Sequence, residues 1–181
     1  MPKPPSWFAA LVVALLSSQA HALEVGQTAP AIDKPTWLVG NAPSAGTVML
    51  IDLWEPGDPA SRATMPCLTD LQHRHVNQVQ VIGLTAAPAD VAQSFISRMG
   101  SRIDYRLAQV ADIRPWMPSG VGPPVTLLVD SHGTVVWWGD ATQAARPLVE
   151  LLDGTLVPMP APLPAQTMVA TPANTGTSSV K

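Results

Sequence analysis

The stretch Leu53-Trp-Glu-Pro-Gly-Asp-Pro-Ala-Ser-Arg-Ala-Thr-Met-Pro66 connects an apolar run to the start of a predicted helix. The run, residues 47–54, is nearly continuous in apolar side chains, which is typical of a β-strand covered on both faces. Asp58 followed by Pro59 is a favoured helix start, because aspartate accepts hydrogen bonds from first-turn amides and proline suits the first helical position. The stretch therefore predicts a buried strand, a short loop and a helix over residues 59–75.

The residues that follow continue the alternation of strands and helices. Apolar periodicity and turn residues predict further strands over residues 79–84, 125–129 and 134–138, and further helices over residues 89–99 and 141–152. Asp130-Ser-His-Gly133 is a good hairpin turn between the last two strands. The order strand–helix–strand–helix, followed by a hairpin and a helix, predicts one α/β domain over residues 23–154.

Residues 53–66 resemble the active-site segment of periplasmic thioredoxin-like proteins of the TlpA/ResA type, whose common form is FWASWCPPCRAEMP. Six positions match without a gap, namely Trp54, Pro59, Arg62, Ala63, Met65 and Pro66. The opening Val25-Gly-Gln-Thr-Ala-Pro30 and the strand Pro124-Val-Thr-Leu-Leu-Val-Asp130 resemble two further motifs of this family, VGxxAP and PTTFLID. The resemblance covers about residues 24 to 154. It implies a thioredoxin-like fold, with a central mixed sheet and helices on both faces.

The two redox cysteines of the family are absent, because Asp58-Pro59-Ala60-Ser61 stands in place of its Cys-x-x-Cys motif. A dithiol works through a thiolate of low pKa and a resolving thiol, and neither a carboxylate nor a hydroxyl can form a disulfide. Asp58 could act instead as a general acid or base. A capped carboxylate has a lowered pKa and is a poor base near neutrality. We therefore interpret Asp58 as a helix cap in the place of the nucleophile.

The loop before the hairpin corresponds to a second functional motif of the family. Pro124 corresponds to the cis-proline that lies beside the dithiol, which predicts a cis Pro123–Pro124 peptide bond. The preceding residue commonly docks peptide substrates through its backbone, and Pro123 has no N–H to donate. Trp116-Met117-Pro118 would form an apolar patch for a partner if exposed, and part of the core if buried. The resemblance implies an active-site face that contains Trp54, Pro59, Ala60, Trp116, Pro123 and Pro124.

Cys67 is the only cysteine of the chain and thus the only candidate catalytic thiol. Thr64-Met-Pro-Cys67 is similar to the TxxC motif of peroxiredoxins, but the proline of that motif is missing at Ala60. Cys67 lies about two turns inside the predicted helix, where the helix dipole has little effect. A small packed side chain and a reactive thiol remain the two alternatives, and an internal disulfide is impossible with one cysteine.

No metal site or cofactor is predicted. His73 and His75 are separated by one residue on a predicted helix and therefore point to different faces. The methionines of the predicted domain suggest core filling more than a copper site. Copper handling occurs among thioredoxin-like periplasmic proteins and stays a third hypothesis. The methionines concerned are Met49, Met65, Met99 and Met117.

The amino terminus has the layout of a secretory signal peptide over residues 1–22. Lys3 supplies a positive start, residues 7–16 are apolar, and Ala20-His-Ala22 is a small-x-small cleavage signal. An uncleaved anchor is the alternative, but the apolar run is shorter than the roughly 20 residues of a spanning helix. We expect cleavage after Ala22, a periplasmic location and no stable membrane insertion.

The carboxyl-terminal residues 155–181 are rich in proline, alanine, threonine and serine without apolar periodicity. Such a segment cannot bury enough surface to offset its ordering entropy, which predicts a disordered tail. The chain carries 10 Lys and Arg against 13 Asp and Glu, with no basic run. This balance argues against nucleic-acid binding.

Three functional hypotheses follow from these residues. The first is a thioredoxin-like protein without redox activity, which acts as a binding or chaperone-like module on a protein partner in the cell envelope. The second is a thiol–disulfide or peroxide-reacting enzyme that works through Cys67 alone. The third is copper handling. The oligomeric state is left open by the sequence.

Overall fold

The elements of the domain appear in the predicted order in the computed structural model, which describes residues 22–157. Short 3₁₀ turns at Gly100–Arg102, Arg114–Trp116 and Ala141–Gln143 accompany the regular elements. The strands and α-helices within the described residues are β1 (Thr36–Val39), β2 (Val48–Leu53), α1 (Pro59–Arg74), β3 (Val79–Thr85), α2 (Ala89–Met99), β4 (Arg106–Gln109), β5 (Val125–Val129), β6 (Val135–Gly139) and α3 (Ala145–Leu152).

The strands form one mixed sheet in the order β1-β4-β3-β2-β5-β6. β2, β3 and β4 are parallel neighbours, whereas β1, β5 and β6 pair antiparallel. Leu53, the last residue of β2, pairs with Leu84 on one side and with Val125 on the other. The chain therefore leaves β2 for α1 at the middle of one sheet end, and β5 begins at the same place.

The two faces of the sheet carry separate hydrophobic clusters, because successive strand side chains point to opposite faces. One face packs against all three α-helices, which contribute Met65, Phe95 and Leu148 among others. The other face packs against the amino-terminal residues and the segment 110–121. The sequence predicted helices on both faces of the sheet. On this second face the only helical structure among the described residues is the short 3₁₀ turn Arg114–Trp116.

The predicted boundaries agree with the structure for α1, α2 and β5 to within one residue. The predicted helix 141–152 is divided into a 3₁₀ turn, capped by the Asp140 carboxylate, and the shorter α3. β1 and β4 were not predicted from the sequence. Each has four residues, and they pair with one another at one side of the sheet. Strands this short carry too few alternations for a period-2 pattern to stand out.

Two predictions fall mainly on residues outside the described part of the chain. The signal peptide, residues 1–22, contributes only Ala22 to it, and the tail, residues 155–181, contributes only its first three residues. Both remain predictions. Within residues 22–157 no helix is long and apolar enough to cross a membrane.

Candidate functional site

Asp58 is the N-cap residue of α1, as the sequence predicted. Its backbone is extended, Pro59 occupies the first helical turn, and the Asp58 Oδ2 atom accepts a hydrogen bond from the Ser61 N–H at 2.6 Å. This hydrogen bond from the Ser61 backbone is the largest of the effects that lower the pKa of the Asp58 carboxyl. Asp58, at the position that the resemblance assigns to the nucleophile, is therefore a carboxylate stabilised in its charged form and a weak base near neutrality.

Ser61, the other residue that the resemblance aligns with a cysteine, is fully buried. Its hydroxyl oxygen accepts a hydrogen bond from the Glu55 N–H at 3.2 Å, and its own N–H is the donor to Asp58. Ser61 thus ties the loop before α1 to the first turn of the helix. Both positions of the missing dithiol carry side chains that hydrogen-bond the local backbone.

The cis-proline prediction is confirmed, because the Pro123–Pro124 peptide bond is cis. Val125, the next residue, pairs with Leu53. Pro124 therefore lies at the same end of the sheet as the loop that leads to α1. The side chains of Pro59 and Ala60 are exposed there, and those of Pro123 and Pro124 are half-buried. We call the surface formed by Asp58, Pro59, Ala60, Pro123 and Pro124 the site face.

The two tryptophans expected on this face are buried. Trp54 is wholly inaccessible and packs against Phe95, with ring centroids 5.4 Å apart. Trp116 belongs to the cluster on the second face of the sheet, and Pro118 is also buried. The sequence left two alternatives for the segment 116–118, an exposed patch or part of the core. Trp116 and Pro118 belong to the core. Only Met117 is partly exposed.

Trp116 lines a cavity of about 600 Å³ together with Trp37, Met49 and the hairpin turn 130–133. That turn follows β5, whereas Pro124 precedes it. The strand between them separates the two places by roughly 17 Å, at about 3.4 Å per residue. Trp116 therefore contributes both to the core of the second face and to the cavity at the hairpin turn.

A groove of about 780 Å³ lies beside the cis-proline loop. Its walls are the segment 112–122 and Ala22, and we call it the loop groove. Met117, Pro118 and Val121 supply apolar surface, and Asp112 and Arg114 form an ion pair with 2.8 Å between nitrogen and oxygen. The hydrogen bond from Arg114 lowers the pKa of the Asp112 carboxyl. The loop groove ends at Gly122, directly before the site face.

Asp52 is the functional candidate that the sequence analysis missed, because it lies within a run that was interpreted as a nearly continuous apolar strand. It is wholly buried on β2, six residues before Asp58. Its Oδ1 atom accepts a hydrogen bond from the Thr126 hydroxyl at 2.9 Å, and its Oδ2 atom has no hydrogen-bond partner among the described residues. Burial raises the pKa of Asp52 to about 7, partly opposed by the Thr126 hydrogen bond. A single charged residue inside an apolar strand was the available signal.

Two further buried polar atoms lie on the same side of the sheet as Asp52. The Tyr105 hydroxyl and the Trp54 Nε1 atom both belong to residues of the helix-covered cluster, and neither has a hydrogen-bond partner within residues 22–157. Burial, with a smaller contribution from the Asp52 charge, raises the pKa of Tyr105. The layer beneath the site face therefore favours neutral forms of its titratable groups.

Cys67 lies in the middle of α1 and is half-buried against the helix-covered cluster. Its Sγ atom is 3.7 Å from the Ala141 carbonyl oxygen, which accepts its weak hydrogen bond. Burial raises the pKa of the Cys67 thiol, and the charge of Asp70 adds to the effect. A reactive cysteine needs a lowered pKa. The environment of Cys67 has the opposite effect.

The histidines and methionines serve local structure. His73 Nε2 lies 2.7 Å from Asp104 Oδ2, and His75 Nδ1 lies 3.2 Å from Gln78 Oε1, which gives the two rings separate partners. Met65 and Met99 are buried in the core, whereas Met49 and Met117 are half-buried. Within the described residues no three His, Cys, Asp or Glu side chains are grouped as metal ligands.

Comparison with known proteins finds similar folds at low sequence identity. The thioredoxin domain of a Bacteroides vulgatus thiol-disulfide oxidoreductase is 21% identical with a TM-score of 0.57, over 75% of this chain and 100% of that domain. A thiol-disulfide isomerase from Corynebacterium glutamicum is 21% identical with a TM-score of 0.52, over 78% and 99% of the two chains. Mycobacterium tuberculosis AhpC is 12% identical with a TM-score of 0.58, over 75% and 97%.

No family model matches the chain, and no curated protein matches it. The structural likenesses establish the thioredoxin-like α/β fold that the sequence predicted. At these identities they concern the fold alone. The protein is thus a thioredoxin-like α/β domain in structure, and its sequence contains a single cysteine.

Proposed function

We propose that this chain is an exported thioredoxin-like protein of the TlpA/ResA type that has lost its redox dithiol and acts as a binding or chaperone-like module in the cell envelope. The observation that carries this proposal is the start of α1. Asp58 and Ser61, in place of the cysteines, accept backbone hydrogen bonds at 2.6 and 3.2 Å. These side chains support the shape of the site and supply none of the sulfur chemistry.

The surface around this helix start supports a binding role. Pro59 and Ala60 are exposed, and the loop groove beside Pro123 adds apolar surface from Met117 and Val121. Apolar surface next to a rigid loop is a common feature of protein interaction sites. We expect the partner to be a protein of the envelope that contacts the site face.

An enzyme that works through Cys67 has less support. Such an enzyme needs an accessible thiolate, and the Cys67 thiol is half-buried with a raised pKa. Copper handling remains a prediction from the sequence, and no three His, Cys, Asp or Glu side chains are grouped within the described residues to support it.

Reduction of insulin disulfides tests the loss of redox activity. The unmodified protein should give no turnover, whereas Asp58→Cys with Ser61→Cys should form a pair that can close, because Pro59 and Ala60 provide the usual spacing. The restored thiolate at a helix N-terminus should have a pKa below the ordinary value of about 8.5. Activity should stay low until Pro123→Val is added, since Pro123 withholds a backbone donor. The single change Asp58→Cys is the matched control and should remain inactive in dithiol exchange.

Turnover by the unmodified protein that disappears in Cys67→Ala would contradict the proposal. It would mean that Cys67 works in a rearranged active site, and the second hypothesis would replace the first.

Site-specific photo-crosslinking in the envelope tests the binding role directly. A photoreactive side chain at Ala60, on the site face, should give one or a few discrete protein adducts. The control is Val76, which is 64% exposed just beyond the other end of α1. Equal adduct patterns from the two positions would mean that the site face has no special role in binding.

A further inference from the structure

Leu23 is the first residue from the amino-terminal side whose side chain is buried in the described structure. It is 4% exposed and packs in the cluster on the second face of the sheet. Ala22, immediately before it, is half-buried and lines the loop groove. The packed domain therefore begins at the residue that follows the predicted cleavage signal.

The backbone nitrogen of Leu23 has a defined partner. It donates a hydrogen bond to the Met117 carbonyl oxygen at 3.1 Å. The next residues are held on β6, because the Gly26 N–H donates to the Val135 carbonyl and Thr28 forms a bridge with Thr134. The nitrogen of Leu23 is thus fixed against the segment that leads into the cis Pro123–Pro124 bond.

We propose that the α-ammonium group of Leu23, created by processing, binds the Met117 carbonyl and fastens in place the segment 112–122, which lines the loop groove. Hydrolysis of the Ala22–Leu23 peptide bond consumes one water molecule. Ala22 leaves as a carboxylate, and the Leu23 nitrogen takes up protons to become an ammonium group. The process is a peptidase reaction with no redox step. The proposal rests on the export that we propose above.

The change from amide to ammonium strengthens the contact with Met117. Hydrogen bonds from a charged donor are roughly twice as strong as those between neutral groups. The ionisable side chains nearby are Asp112 and Arg114, which line the same groove, and Glu24, the next residue along the chain. Asp112 and Arg114 pair with one another, which leaves Glu24 as the unpaired charge of the three among the described residues.

The first residue of the processed chain matters, because a shift by one residue changes the group that faces the Met117 carbonyl. A chain that starts at Glu24 lacks the Leu23 side chain and therefore its apolar contacts in the core of the second face. A chain that starts at Ala22 keeps Leu23 but has only an amide at Met117, with the charge one residue further out. Only a start at Leu23 combines the full core with an ammonium group at the Met117 carbonyl.

Defined amino termini test the proposal on the otherwise complete chain. Three proteins that start at Ala22, Leu23 or Glu24 are prepared by scarless protease release, and the first two are also prepared with an acetylated α-amino group. Thermal unfolding midpoints are measured at pH 6 and pH 10. Loss of Leu23 should lower the midpoint by roughly 5 °C.

Acetylation is the decisive comparison. It should lower the midpoint of the Leu23 protein by about 2 to 4 °C at pH 6 and leave it unchanged at pH 10, because an α-amino group loses its proton near pH 8. Acetylation of the Ala22 protein should have no such effect, since its charge does not reach Met117. An equal response of the two proteins, or no response of the Leu23 protein at pH 6, would overturn the proposal.

Amino-terminal sequencing of the protein from the cell envelope completes the test and should read Leu-Glu-Val. A different start would overturn the proposal for the protein in the cell. A start at Leu23 together with no adducts at the site face would contradict the proposed function and leave the role of the amino terminus standing.

Discussion

Asp58 and Asp52 belong to one short stretch of sequence, yet the structure shifts their pKa values in opposite directions. The Asp58 carboxylate lies at the start of α1, and the hydrogen bond from the Ser61 N–H lowers its pKa. The Asp52 carboxylate lies inside the sheet, and burial raises its pKa to about 7. One aspartate is charged at every pH near neutrality, whereas the other gains or loses its proton there.

The difference shows which physical effect dominates at each position. At Asp58, hydrogen bonds to the charged form outweigh the small loss of hydration. At Asp52, the loss of hydration outweighs the single hydrogen bond from Thr126. The surface position has therefore become a structural cap, while the group that responds to pH lies one layer below it. The predictions that follow test this comparison, from the largest expected effect to the smallest.

The largest effect is expected at Asp52. Because its folded-state pKa is about 7 and the ordinary value is 3.8, the folded protein holds a proton that the unfolded chain has lost over this interval. The free energy of unfolding should fall as pH rises through the interval, by about 2 to 3 kcal/mol between pH 5 and pH 8. Asp52→Asn should abolish this loss. Urea unfolding of both proteins across the pH range measures the difference.

Asp58→Asn is the matched control for that experiment. Asp58 titrates below its ordinary value, since its pKa is lowered. The control should therefore keep the decline between pH 5 and pH 8. If the decline survives in Asp52→Asn, or disappears in Asp58→Asn, the assignment of the pH dependence to Asp52 is wrong.

Cys67 extends the comparison to a thiol, because burial raises its pKa as it does for Asp52. Labelling by a thiol reagent at pH 7 should be roughly tenfold slower in the folded protein than in urea, since both the thiolate fraction and access are reduced. The time course of reagent consumption gives both rates. Rapid labelling of the folded protein at pH 6, or a sulfenic acid formed with stoichiometric peroxide, would favour the Cys67 enzyme.

Ser61 tests the structural half of the comparison. Ser61→Ala removes the acceptor of the Glu55 N–H and should lower the free energy of unfolding by about 1 kcal/mol. Ser97→Ala is the control, because this exposed serine of α2 hydrogen-bonds only the Gln93 carbonyl and should change stability by less than about 0.5 kcal/mol. Chemical unfolding at pH 7 provides the comparison. Equal effects would show that the Ser61 hydroxyl contributes nothing special at the helix start.

The last prediction concerns Asp58→Ala, which removes the cap of α1 and should have an effect no larger than that of Ser61→Ala. The lowered pKa means that the cap stabilises the fold above about pH 4, where the unfolded carboxyl is also charged, and that this contribution is lost as pH falls through the lower folded-state value. The unfolding midpoint should drop by roughly 3 to 6 °C at pH 7. The difference from the unmodified protein should shrink below pH 3. A difference that does not vary with pH would mean that the charge of the cap is irrelevant.

Much of the fold could be predicted because its signals are local. The helix starting at Pro59 follows from an Asp-Pro pair, and the hairpin from the turn Asp130–Gly133 between two β-rich runs. β1 and β4 could not be predicted in this way. They form by pairing between Thr36–Val39 and Arg106–Gln109, two segments far apart in the chain. No local residue pattern reports such a partner.

The candidate site likewise contains features that local sequence signals predict and features that depend on long-range packing. The cap at Asp58 and the cis bond before Pro124 were predicted from short motifs, and the structure contains both. The buried state of Asp52 was missed, and the position of Trp116 was left open. Both depend on how many other side chains surround the residue, which is a property of the whole packed domain.

The sequence by itself predicted the helix that begins at Pro59 and the aspartate that caps it. Both conclusions depend on neighbouring residues, whose geometry is set by a few backbone torsions. Only the tertiary structure decided that Asp52 is shut off from water, that Trp116 is buried on the second face of the sheet, and that Leu23 meets Met117. Burial and long-range contacts arise when distant segments of the chain pack together, and a local pattern does not contain that information.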